Sequence, residues 1–84
     1  MFVVYILWSP SNAKFYIGQT SNLDRRIHEH NAGQSNSTKS GRPWSLVYCE
    51  NYKTRSDSVK RERQIKSWKD TDAIKQLISA DSDW

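Results

Sequence analysis

One cysteine in 84 residues, Cys49, excludes an internal disulfide. It lies in an apolar run and is expected to be a buried structural thiol rather than a nucleophile. So little cysteine suits a reducing, cytoplasmic compartment. Long hydrophobic runs are missing too. The opening MFVVYILW is too short to span a bilayer, has no basic stretch before it and no small-residue cleavage site after it. It reads as a core strand, and no membrane contact is expected. Repeats and linkers are absent, and the length is that of one domain, residues 1–84. Such a chain buries only roughly 60–65% of the surface its unfolded form exposes, so its core must be modest. Acid is scarce over most of the chain: residues 1–69 hold 12 Lys/Arg against 5 Asp/Glu, and residues 70–84 hold 1 against 4. A basic body suggests an anionic partner, although charge alone does not separate nucleic acid from ordinary solubility.

What the chain does have is aromatic side chains, four Trp, four Tyr and two Phe, each burying a large area per residue ordered. FVVYILW (2–8) and KFYIG (14–18) read as two β-strands joined by the polar turn SPSNA, close enough to form a hairpin. Gly18 is expected to relieve a backbone conformation that other residues resist. A helix over about 22–32 follows TSN, which supplies candidate caps, and Asp24 favours its dipole. GQSNSTKSGRP (33–43) is a polar loop without hydrophobic pattern, and WSLVYCENY (44–52) is a third strand. A second helix is expected over 54–69, capped by Thr54 or Ser56. A third begins at 70, capped by Asp70 or Thr71, with Ile74, Leu77 and Ile78 as its stripe. The order ββαβαα implies a small α/β domain, a three-stranded, mostly antiparallel sheet flanked by three helices.

Helical periodicity separates ordinary charges from unusual ones. At about 100° per residue, Arg26 and His30 border the Leu23/Ile27 stripe of the first helix. Arg25, His28 and Glu29 fall away from it and read as solvated. In the second helix Glu62 falls inside the arc between Val59 and Ile65, and neither Lys60 nor Arg61 stands beside it. A carboxylate on an inward face is costly unless compensated. Arg26, His30 and Glu62 are therefore expected to converge near Tyr5 and Tyr16, as an active site or as an Arg26–Glu62 pair that locks the helices together.

These residues carry a resemblance. Tyr16-Ile17-Gly18, the turn after it, and Arg26 and His30 four residues apart resemble the GIY-YIG nuclease superfamily. The closest likeness is to its small single-domain bacterial branch, which is similar to the N-terminal nuclease domain of the excision-repair subunit UvrC. GRPWSLVY and KRERQIKSWK resemble that branch's third strand and the helix bearing its metal-binding glutamate. Val3-Val4-Tyr5 stands where Gly-Ile-Tyr would be and keeps only the tyrosine. Asp81 or Ser82 stands where many relatives carry an asparagine.

The resemblance implies a metal-dependent endonuclease that hydrolyses phosphodiester bonds in DNA, with a place in repair, structure-selective and with weak intrinsic sequence specificity. Tyr5 and Tyr16 would be the motif tyrosines, with Tyr5 favoured over Tyr16 as the base that activates water. Arg26 would be the catalytic arginine, His30 its associated histidine, and Glu62 the ligand of one Mg²⁺ (or Mn²⁺). Lys39, Arg42 and Lys66 would contact phosphates away from the reacting centre, while Trp44 and Trp68 read as core. The implied partners are DNA, with RNA left open, and a protein that targets the substrate. Two alternatives stand beside this reading: a nucleic-acid-binding module with weak or lost catalysis, and a structural adaptor held by Arg26–Glu62.

Overall fold

A computed structural model describes residues 1–34, 36 and 38–80. Asp81 and Ser82, the positions set against the family's asparagine, lie outside the described residues. The elements are β1 (Phe2–Ser9), β2 (Lys14–Thr20), α1 (Leu23–Asn31), a 3₁₀ turn (Lys39–Gly41), β3 (Ser45–Tyr52), α2 (Arg55–Lys66) and α3 (Thr71–Ala80). This is the expected ββαβαα order. The sheet has the order β2-β1-β3 and is antiparallel throughout, with Tyr5 opposite Gly18 on one side and Cys49 on the other. A bulge between Ile6 and Leu7 shifts the register towards β3.

The helices begin where their caps dictate. Asn22 Oδ1 accepts the Arg25 N–H, Thr54 Oγ1 that of Asp57, and Asp70 Oδ1 that of Asp72. α2 stops three residues short of the expected 69, because the Ser67 N–H closes on the Arg63 and Gln64 carbonyls and its Oγ donates to the Gln64 carbonyl.

As the central strand, β1 is covered on both faces, so Val4 to Leu7 are all buried and the usual alternation is hidden. Val4, Ile6 and Ile17 pack with Ile65 of α2 and Ile74 of α3, with Trp68 at the margin. On the opposite face Tyr5, Leu7 and Trp44 pack with Tyr16 and with Leu23 and Ile27 of α1. No β3 residue joins that second cluster, so β3 is open there. Cys49, expected to be buried, is consequently exposed, and Leu46 is 41% exposed beside it.

Two further expectations are corrected. Gly18 does not have a positive φ, unlike Gly33. It is needed for close approach, since a Cβ there would stand 2.5 Å from Tyr5 Oη. The loop after α1 is not loose filler. Thr38 is fully buried, and its carbonyl accepts the Trp44 indole N–H at 2.7 Å. Asn31 grips the Trp44 backbone at both N–H (2.6 Å) and carbonyl (3.2 Å).

Arg61, which helical periodicity sets away from Glu62, has a different partner. Its Nε and Nη2 reach the two Glu50 oxygens at 3.0 and 3.1 Å, and Glu50 also accepts the Tyr48 and Tyr52 hydroxyls. The guanidinium lies over Trp68, 5.6 Å from the ring centroid, so this cluster fastens α2 to β3. Glu50 is half-buried on the edge strand β3, and its place in the sequence gave no sign of this cluster.

Candidate active site

Tyr5 comes from the middle of β1 and lies across β2 in the space left by Gly18. Its hydroxyl is 3.0 Å from Nε2 of His30, on the last turn of α1. Tyr5 is 1% and His30 0% exposed. The other imidazole nitrogen, Nδ1, is 2.7 Å from Thr38 Oγ1. Tyr16 presents itself edge-on to the imidazole, with centroids 4.8 Å apart, and remains half-exposed. One turn before His30, the Arg26 guanidinium faces the hydroxyls of both tyrosines. Its Nη1 is 3.1 Å from Glu29 Oε1, and Arg25 Nε reaches the other Glu29 oxygen at 3.8 Å.

These placements set the electrostatics. Burial pushes the Tyr5 hydroxyl up to about 12, with the Tyr16 and Glu62 charges adding to it and Arg26 opposing it. Burial, then the adjacent Arg26 charge, lowers the His30 pKa, so the imidazole is neutral at neutral pH. Burial acts against the Arg26 charge, but the Tyr5 hydroxyl and the Glu29 carboxylate outweigh it and the arginine is raised. The result is a fixed cation beside a neutral tyrosine–histidine pair.

Tyr5, Tyr16, Arg26 and His30 are thus brought together as expected. Glu62 comes from α2 on the other side of the sheet, near enough for its charge to act on Tyr5. Its ion pair is with Lys66, 3.2 Å away and one helical turn on. Arg26 pairs with Glu29, so in place of the Arg26–Glu62 lock of the adaptor alternative there are two pairs, each within a single helix. Lys66, expected at a phosphate, is occupied by Glu62. Arg42 folds over Gly33 and donates Nε to the Lys39 carbonyl at 2.9 Å, so these two cations sit together at the 3₁₀ turn. Trp44 is 6% exposed and belongs to the core.

Sequence reasoning missed Glu29 and Thr38. Glu29 lies three residues after Arg26, and that i,i+3 spacing was its signal. Thr38 is one of four hydroxyl residues in the polar loop, and nothing in the pattern singles it out.

No group of three or more His, Cys, Asp or Glu side chains gathers to hold a metal among the described residues. Glu62 alone, 18% exposed, suits a hard divalent cation that takes most of its shell from water and substrate oxygens. It does not suit zinc, which requires several protein donors.

Residues 1–75 match the model of the GIY-YIG catalytic domain. The chain belongs to the GIY-YIG family. It is 37% identical over 75 residues to a UPF0213 protein of Staphylococcus haemolyticus, covering 88% of this chain and 90% of that one. A UPF0213 protein of Haloquadratum walsbyi is 42% identical over 66 residues, covering 77% and 73%. The solution NMR structure of a UPF0213 protein from Bacillus halodurans superposes with a TM-score of 0.62 at 28% identity, covering 99% of this chain and 88% of that one. GIY-YIG membership makes a nuclease possible, and nucleases of this family generally use a divalent metal. No described helix is long and apolar enough to cross a membrane.

Proposed function

We propose that residues 1–84 form a single nuclease domain that hydrolyses DNA phosphodiester bonds, with Glu62 holding Mg²⁺ or Mn²⁺. The observation that supports this most is the Tyr5–His30 hydrogen bond with the Arg26 guanidinium beside it.

Arg26 binds the scissile phosphate. Its planar fork gives paired donors and its charge persists at every working pH. Glu29 holds that fork towards the tyrosines. Tyr5 need not become an anion, which a pKa of about 12 opposes. As it takes a proton from the attacking water, it passes its own to His30 Nε2, and the imidazole leaves the step as a cation. His30 must therefore start neutral, as burial and Arg26 ensure. Once a phosphate offsets the Arg26 charge, the imidazole becomes a better acceptor. Tyr16, half-exposed against the imidazole, orients the water. When bound, the divalent ion supplies charge stabilisation for the crowded phosphate and the departing oxygen. Lys39 and Arg42 lie where they can hold the strand without reading sequence.

The test is nicking of supercoiled plasmid and branched DNA with Mg²⁺ or Mn²⁺, comparing wild type with folded Arg26→Ala and Glu62→Ala. Metal-dependent cleavage that vanishes in both variants is expected. Salt-dependent binding without cleavage by the wild type would favour a binding module instead.

A further inference from the structure

His30 touches two hydroxyls, and which of its nitrogens carries the proton decides whether it can accept one from Tyr5. With Arg26 able only to donate, the Tyr5 oxygen accepts on that side. The hydroxyl hydrogen of this buried tyrosine then goes to His30 Nε2, 3.0 Å away. The imidazole proton must then sit on Nδ1, facing Thr38 Oγ1 at 2.7 Å. The opposite tautomer would crowd two donors onto the Tyr5 oxygen and leave the hydrogen of a side chain that is 1% exposed to find another acceptor.

We propose that Thr38 is a positioning residue whose hydroxyl oxygen accepts the Nδ1 proton and so stabilises the tautomer that the Tyr5 hydrogen bond selects, keeping Nε2 open to the Tyr5 proton. Its role in turnover rests on the nuclease reading above, while its effect on the tautomer does not. The placement of Thr38 is fixed from several sides. Its carbonyl accepts from both the Trp44 indole (2.7 Å) and the Gly41 amide (3.2 Å). Trp44 is gripped by Asn31, the residue after His30 in the chain. The Gly41 carbonyl accepts the Ser9 hydroxyl at 2.6 Å, and a Cβ on Gly41 would stand 2.3 Å from the Trp44 ring. The loop is therefore tied to α1 through Asn31 and the Trp44 backbone, and to β1 through Ser9 and Gly41. A β-branched residue, with few side-chain rotamers, suits such a post.

The experiment is long-range ¹H–¹⁵N correlation of the imidazole in the wild type, Thr38→Ser and Thr38→Val, with nicking kinetics on the same samples. The wild type and Thr38→Ser are expected to show a protonated Nδ1 and a bare Nε2. Thr38→Val should mix the tautomers and lower kcat by at least about tenfold with KM unchanged, a part of the roughly 10²–10⁴-fold that a positioned acid–base group supplies. A wild-type His30 protonated on Nε2 overturns the proposal, and that spectrum decides the point even if Thr38→Val does not fold. An unchanged tautomer in folded Thr38→Val also overturns it, as does a changed tautomer with full kcat. Expected tautomers in a wild type that nicks no DNA would sink the nuclease reading and leave the Thr38 lock standing.

Discussion

Two glutamates make the sharpest test, because the same substitution should give opposite results at each. Glu62 loses only an i,i+4 pair with a Lys66 that is 51% exposed. Such pairs stabilise by about 0.3–0.5 kcal/mol, and alanine's better helix propensity returns part of that. Glu62→Ala should therefore shift Tm by no more than about 3 °C, at roughly 4–8 °C per kcal/mol for a domain of this size. It should nonetheless abolish metal-dependent nicking. Glu50→Ala is the counterpart. It removes the acceptor of two tyrosine hydroxyls and of Arg61, in a pair 18% and 21% exposed. Breaking a fully buried pair costs about 3–5 kcal/mol and an exposed one under about 1. For this half-buried network we expect about 2–3 kcal/mol, or a Tm fall of roughly 10–20 °C. Below its melting range Glu50→Ala should nick at the wild-type rate. Thermal melts followed by circular dichroism, paired with the plasmid assay, read both quantities. A Glu62→Ala protein that melts as early as Glu50→Ala, or that still nicks, would refute the separation of site from scaffold.

Three further outcomes follow from the geometry. Tyr5 is raised from 10.0 to about 12, so its contribution is complete below pH 10 and is lost as pH rises through 12. This amounts to about 3 kcal/mol. Urea midpoints across that range should fall less in Tyr5→Phe, and an equal fall would disprove the assignment. The His30 pKa is lowered, so the stability of its neutral form is present above the ordinary histidine value and lost as pH falls through the lowered one. Nicking should be flat from neutral pH upwards and decline only below the ordinary histidine range, whereas a midpoint above neutrality would contradict the relay. Gly18→Ala would press a Cβ to 2.5 Å from Oη and 2.6 Å from Cζ of the buried Tyr5 ring. It should cost about 1–3 kcal/mol and reduce nicking more than an exposed Gly→Ala would, as a paired melt and nicking rate can check.

The helical periods were enough to pick Arg26 and His30 out of LDRRIHEHN, because a 100° step per residue depends only on the local chain. Strand order and register were not legible, since pairing is decided by partners far along the chain. That uncertainty hid the reason for Gly18, which is the Tyr5 ring across the β1–β2 ladder. The Cys49 expectation failed for a related cause. An apolar neighbourhood in sequence says a strand is half-buried, but not which of its faces lacks a helix above it. Glu62 was found by its place among apolar residues, yet its Lys66 partner was set aside for a phosphate. Thr38 was invisible, because a polar loop has no period and its burial comes from an indole six residues on.

Of the three strands, the central one is made before the other two. β1 finds β2 at once, through the short link between Ser9 and Lys14, but its other edge waits for β3, with Phe2 opposite Tyr52. At about 5–20 residues per second, roughly 2–10 s of translation pass before that edge can close. During this interval the unpaired backbone N–H and C=O groups along the β3-facing edge of β1 are open to any neighbouring chain with a free strand. The Tyr5, Tyr16, Arg26, His30 and Thr38 side chains have already been made by then, but Glu62 of α2 has not, so the candidate site is still incomplete when the sheet closes. A chaperone that shields the nascent hairpin should therefore raise the yield of folded protein without altering its melting temperature.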